Sequence, residues 1–148
     1  MKKLVFIISL MMSFSVSNAQ NKAEKICGVY LVVEQNEVSK VKISRNSDGT
    51  FSGQVIWAKN PNFEDCTPKT DINNPDPSKR NTPTSKIVLL YDFKYDEGDD
   101  EWSGDIYNPV DGKTYKAYAK FESEKNLKLR GYVGLPIFGR TVYWQKLE

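Results

Sequence analysis

The chain has no histidine among its 148 residues, so every catalytic scheme built on an imidazole is unavailable to it. Ser-His-Asp and Cys-His nucleophiles are excluded, and the commonest zinc ligand is missing. Acid–base chemistry then falls to carboxylates, of which Asp71, Asp92, Asp105 and Asp111 are the candidates. A carboxylate-based hydrolase needs two of them facing one cleft. Asp92 and Asp105 fall on outward strand positions and Asp111 belongs to a turn, so this reading ranks third among the functions considered. The run Asp96, Glu97, Asp99, Asp100 and Glu101 lacks the alternating ligands and distant glutamate of an EF-hand and reads as a solvated hairpin tip. Pro75 interrupts the acidic alternation that begins at Asp71-Ile72-Asn73-Asn74. Asp71 and Asn74 therefore read as an Asx-type turn that stabilises a loop. No metal and no cofactor is expected.

Binding is the other chemistry within reach. Tyr30, Trp57, Trp102, Tyr115 and Trp144 combine apolar area with polar handles. Placed together they would either fill a small interior or line a cavity for a small lipophilic ligand. Arg130 and Arg140 are candidate anchors for a carboxylate or head group. Leu127, Leu129 and Gly131 take the inward parity, which gives Arg130 a surface or barrel-end salt bridge and leaves Arg140 as the candidate ligand contact.

The start of the chain sets the compartment. Lys2 and Lys3 precede an apolar run from Leu4 to about Val16, and Ser17-Asn18-Ala19 supplies small residues before Gln20. This is the pattern of a secretory leader over residues 1–19, leaving one domain over 20–148 and an exported, periplasmic or secreted protein. No later run has the length of apolar residues a transmembrane helix requires. Loss of the two leader lysines takes the 21 Lys and Arg to 19, against 19 Asp and Glu. The remaining chain is neutral, so no nucleic-acid partner is expected. In an oxidising compartment the two cysteines, Cys27 and Cys66, read as one disulfide, worth about 3 to 4 kcal/mol in the chain-entropy model. A catalytic thiol is the alternative, and it lacks a histidine base.

These side chains need elements to position them. Segments rich in Val, Ile, Tyr, Phe, Trp and Thr alternate with Gly, Asn, Asp and Pro clusters at hairpin spacing. Eight strands are predicted, near 26–34, 38–45, 51–59, 86–95, 101–107, 114–122, 127–133 and 140–147. Turns such as Asn46-Ser47-Asp48-Gly49 and Asn108-Pro109-Val110-Asp111-Gly112 join them as antiparallel neighbours. Period-two alternation sends Tyr115, Ala117, Ala119 and Phe121 inward from the sixth strand. It groups Gly28, Tyr30 and Val32, then Phe51, Val55 and Trp57, then Trp102, Gly104 and Ile106, then Val142 and Trp144. The fold class is all-β: an eight-stranded antiparallel meander that closes into a barrel, with a two-sheet sandwich as the alternative. One long Pro-rich loop, residues 60–85, interrupts it. The loop is read as a connection across one barrel end, with gating of a ligand or docking of a protein partner as the alternatives.

The motifs resemble a known family. Gly28-Val29-Tyr30, Asp71 with Asn74-Pro75, Ile106 through Tyr115 with its Pro-x-Asp-Gly-Lys-Thr-Tyr hairpin, Arg130-Gly131-Tyr132-Val133-Gly134, and Gly139-Arg140-Thr141 with Trp144 together resemble the secreted bacterial family called domain of unknown function 2147, over about residues 26–146. The Gly-x-Tyr opening and a late arginine are also similar to the lipocalin pattern, in which Gly-x-Trp on the first strand packs under a C-terminal arginine at the closed barrel end. Here Tyr30 stands in place of the tryptophan. The resemblance implies export and a lipocalin-like barrel. A binding module for a small lipophilic ligand is the preferred function, and an envelope interaction or structural module with a filled barrel, docking through the loop or through Tyr118 and Tyr132, is the alternative.

Overall fold

The computed structural model describes residues 21–148; the expected leader lies outside the described residues. Eight strands run in chain order: β1 Gly28–Glu34, β2 Glu37–Arg45, β3 Phe51–Ala58, β4 Val88–Asp96, β5 Glu101–Asn108, β6 Lys113–Phe121, β7 Asn126–Tyr132 and β8 Gly139–Lys146. Each pairs antiparallel with the next, and β1 pairs with β8 to close an eight-stranded barrel. The sandwich is therefore excluded, and the hairpin chemistry read from the sequence gives the meander it implied.

The meander puts the first residue of β1, the turns after β2, β4 and β6, and the end of β8 at one barrel end. A 3-10 turn, Glu24–Ile26, plugs that end. Ile26 is fully buried, and the plug is stitched down from several strands. The Trp102 indole N–H donates to the Ala23 carbonyl at 2.9 Å, the Tyr30 hydroxyl to Ile26 O at 2.8 Å, and Lys146 Nζ to Lys25 O at 2.6 Å. Arg45 pairs with Glu24 at 2.9 Å. Gly28 starts β1 at φ 147°, and a side chain there would run into the Glu148 carbonyl, so the opening motif needs its glycine. The cation expected over the first-strand aromatic ring is Lys146, 6.0 Å from the Tyr30 centroid, rather than a late arginine.

The other end carries the tips β1–β2, β5–β6 and β7–β8 together with the long segment between β3 and β4. Closure there is weaker. The β1–β8 ladder pairs only Tyr30 with Lys146 and Leu31 with Gln145, extended toward the plugged end by Val29 bonds to Leu147 and Glu148. From Val32 toward the mouth, β1 has no partner in β8.

Two expectations fail, each for a structural reason. Trp57 does not point inward. The β2–β3 register slips between Lys40 and Val41, so that Val41 faces Val55 while Lys40 faces Trp57. The extra residue of the bulge moves Trp57 onto the outer face, where it is exposed beneath Lys40 Nζ at 5.6 Å from the ring centroid. Nor are Cys27 and Cys66 joined: both are free thiols. Cys27 sits beside the plug, whereas Cys66 belongs to the segment at the mouth, and strands of seven to nine residues hold the two ends about 20 Å apart. A disulfide needs Cα atoms within about 7 Å.

Candidate functional site

Burial divides the barrel interior into a sealed floor and an accessible cup. In the half next to the plug, Tyr30, Val41, Ile43, Phe51, Phe93, Trp102, Ala119, Leu127 and Trp144 are all 0 to 2 % exposed. Side chains around an empty chamber would keep area that a water molecule can touch, so this half is packed solid. The aromatic rings interlock within it. Trp102 lies 4.8 Å from Tyr95 and 5.8 Å, edge-on, from Phe121, and Tyr30 lies 6.3 Å from Trp144. Burial, and then the neighbouring Cys27, pushes the Tyr30 hydroxyl well above the usual tyrosine range. The Cys27 thiol is itself raised, first by burial and then by Glu24, which makes it a poor nucleophile. Tyr30, Trp102 and Trp144 thus come together as expected, but as the floor. The buried Trp144 indole N–H has no partner among the described residues.

Above the floor burial is uneven: Val32, Val55, Ile87 and Leu90 stay 1 to 7 % exposed on the β1, β3 and β4 side, and the interior loosens only toward β5, β6 and β8. Ile106, Tyr115 and Val142 remain half-buried, and Ile106 packs over Gly131, where a Cβ would stand only 3.3 Å from Ile106 Cγ2. Tyr115 pairs with Ile106, and its hydroxyl donates to Asp111 on the β5–β6 turn. Arg140 faces Gly131 across the ladder on the same parity as Val142 and Trp144, which sets its exposed guanidinium at the rim of the cup. It makes no ion pair among the described residues. These three half-buried side chains form a shallow apolar patch at the mouth, the cup, with the Arg140 guanidinium, unpaired among the described residues, at its lip.

Arg130, expected at a salt bridge, does something else. Its guanidinium donates to the carbonyls of Pro136 (2.6 Å) and Ile137 (3.2 Å) and to Thr141 Oγ1 (2.8 Å), which fixes the shape of the β7–β8 tip.

The long segment connects two tips at the mouth, with Lys69 paired to Glu37 on the β1–β2 tip at 3.0 Å and Asn73 bonded to the β5–β6 tip. Between those tips its Asp71 region folds against the outer face of β4 and β5. Asp71 is 3 % exposed, and both its carboxylate oxygens are occupied: Tyr107 donates to Oδ1 and Asn74 Nδ2 to Oδ2, each at 2.7 Å. Burial and this hydrogen bond drive the Tyr107 hydroxyl far above its ordinary value. Tyr91 beside it is also raised, by burial and then by the Asp71 charge. Asn73 Nδ2 bonds the Val110 carbonyl at 2.9 Å, and Gly112, at φ 68°, leaves room for the Asn73 carbonyl. Asn74 makes an Asx-type turn, its Oδ1 accepting from Asp76 N–H at 2.9 Å, whereas the Asp71 carboxylate is held by side chains and accepts no backbone N–H among the described residues. Tyr107, their third partner, carries no local signal, because it lies 36 residues away on an outward strand position.

The other carboxylates do not assemble a cleft. Asp105 pairs with Lys116 at 2.8 Å, Asp111 accepts from Tyr115, and Asp92 lies exposed at a β4 bulge with φ 53°. A groove of about 410 Å³, lined by residues including Leu31, Val33, Tyr143 and Gln145, runs outside the barrel along the β1–β8 seam and does not reach the cup.

A family model described as an uncharacterized protein conserved in bacteria, domain of unknown function 2147, matches residues 19–146. The chain belongs to this family. Its motifs now have places: Asp71 and Asn74 anchor the long segment, the Pro-x-Asp-Gly hairpin receives it, and Arg130 shapes the tip. Among solved structures the chain is similar to protein HP1028 of Helicobacter pylori, described as belonging to the lipocalin family. The two share 27 % identity over 83 % of each chain, with a TM-score of 0.66. No curated protein matches the chain.

Proposed function

We propose that this protein is an exported binding module for a small amphiphile, with the apolar body of the ligand in the cup and its acidic or polar head against Arg140. The observation that carries this reading is the pairing of half-buried Ile106, Tyr115 and Val142 with an unpaired guanidinium at the same rim. Burial of a short apolar chain supplies affinity at about 25 cal/mol per Å², and the cation selects the head group. The sealed floor limits how deep the ligand reaches, which favours small or partly protruding molecules. The unzipped part of the β1–β8 seam gives the cup a side through which a chain can enter. The lipocalin description of the structural relative agrees with this reading at the level of fold, and the leader-like first nineteen residues supply the export.

The test is a titration with a fluorescent fatty-acid analogue and with its methyl ester. The native protein should saturate with the acid. Val142→Phe, which fills the cup, should weaken binding of both probes about 10-fold. Arg140→Gln should weaken the acid about 10-fold and leave the ester unchanged. Absence of saturable binding, or equal affinity of both variants for both probes, would refute the assignment.

A further inference from the structure

The β7–β8 tip displays a concentration of apolar surface that the barrel does not use. Val133, Leu135, Ile137 and Phe138 are 65, 63, 75 and 70 % exposed, and Val110 on the neighbouring β5–β6 tip is 81 % exposed. Single exposed apolar residues are ordinary, but a contiguous cluster of large ones marks a contact surface. The segment from Val133 to Gly139 contains no charged residue.

This tip is also preorganised. Val133 N–H donates to Phe138 O at 3.2 Å and Phe138 N–H to Leu135 O at 2.9 Å, while Arg130 occupies the carbonyls of Pro136 and Ile137. Four consecutive carbonyls, Leu135 to Phe138, are therefore satisfied from within the protein. A segment that leaves water for a dehydrated layer needs that, because each unsatisfied backbone group carries a penalty of several kcal/mol. Charge completes the pattern. Arg130 and Arg140 bracket the tip and Lys113 stands at the base of its β5–β6 neighbour, while of the acids on the two flanking tips Asp111 is engaged with Tyr115 and Glu37 with Lys69, leaving Glu34 exposed.

We propose that the β7–β8 tip is a bilayer-inserting wedge. Leu135, Ile137 and Phe138 enter the boundary between head groups and acyl chains of an anionic membrane, and Arg140 and Lys113 lie among the phosphates. The wedge turns the mouth of the barrel toward the lipid surface. It stands independently of whether the cup holds a ligand.

Flotation of the protein with vesicles of phosphatidylcholine mixed with phosphatidylglycerol tests it, alongside sedimentation velocity without lipid. The wild-type protein should float with the mixed vesicles and bind several-fold less to phosphatidylcholine alone. Ile137→Asp/Phe138→Asp should lower vesicle affinity about 100-fold with an unchanged melting temperature, and Leu135→Asp should lower it about 10-fold. Flotation that ignores both variants would overturn the proposal. So would failure of the wild-type protein to float, whether it stays monomeric or forms a concentration-dependent dimer that the Asp pair abolishes; the dimer would assign the tip to a second copy of the chain.

Discussion

The two ends of this barrel are built from the same alternating strands and reach opposite outcomes. At the plugged end, the Glu24–Ile26 turn and Ala23 before it accept the hydrogen bonds of Tyr30 and Trp102, and Trp102, Tyr30 and Ile26 vanish from solvent. At the mouth, Ile106, Tyr115 and Val142 are only half covered, and the apolar side chains of the β7–β8 tip stand exposed. The difference teaches that stability and function are separated along the barrel axis. One end contributes the core, and the other presents surface held in shape by Arg130 and by the Asp71–Tyr107 bond.

Substitutions should break that comparison in a definite order. The largest effect is expected at the floor, where Trp102→Ala should cost about 3 to 5 kcal/mol in denaturant unfolding through the cavity it leaves. A loss below about 1 kcal/mol would mean that the interior is not packed. On the outer wall, Asp71→Ala strands the Tyr107 hydroxyl and frees the long segment. Its expected cost is about 1 to 3 kcal/mol, with faster proteolysis confined to residues 60–85.

Alkaline pH should expose the same bond. Tyr107 and Tyr30 have folded-state values above the ordinary tyrosine value of about 10. Their neutral forms are therefore favoured by folding. That contribution is whole below pH 10 and lost as pH climbs toward the folded values. Unfolding free energy should accordingly decline above about pH 10, less steeply in Tyr107→Phe. The smallest effect concerns the thiols. With Cys27 and Cys66 both free, reductant should leave the melting temperature unchanged, and exposed Cys66 should react with a thiol reagent before half-buried Cys27. A disulfide worth about 3 to 4 kcal/mol would show at once.

The sequence carried the fold well because hairpin spacing and turn chemistry are local. The strands it predicts match those observed to within a residue or two at each end, and the motifs carry the family. Trp57 was misplaced because a single extra residue in β3 inverts parity without leaving a compositional mark. The disulfide was inferred from compartment and cysteine count, neither of which encodes which barrel end a cysteine occupies. Tyr107 and Arg130 were missed as organisers because their partners are set by tertiary packing: Asp71 reaches across 36 residues, and the tip carbonyls carry no residue identity. Gly134, Pro136 and Gly139 within an apolar run were the available hint that Val133 to Phe138 forms a displayed turn rather than more strand.

The central claim, that the mouth accepts a ligand over a sealed floor, is tested most directly by methyl-resolved NMR during titration with a short-chain fatty acid. The account predicts saturable shifts at Ile106 and Val142, with Ile43 and Leu127 silent. Shifts that begin at Ile43 and Leu127, or that stay on the outer groove at Leu31 and Val33, would contradict it.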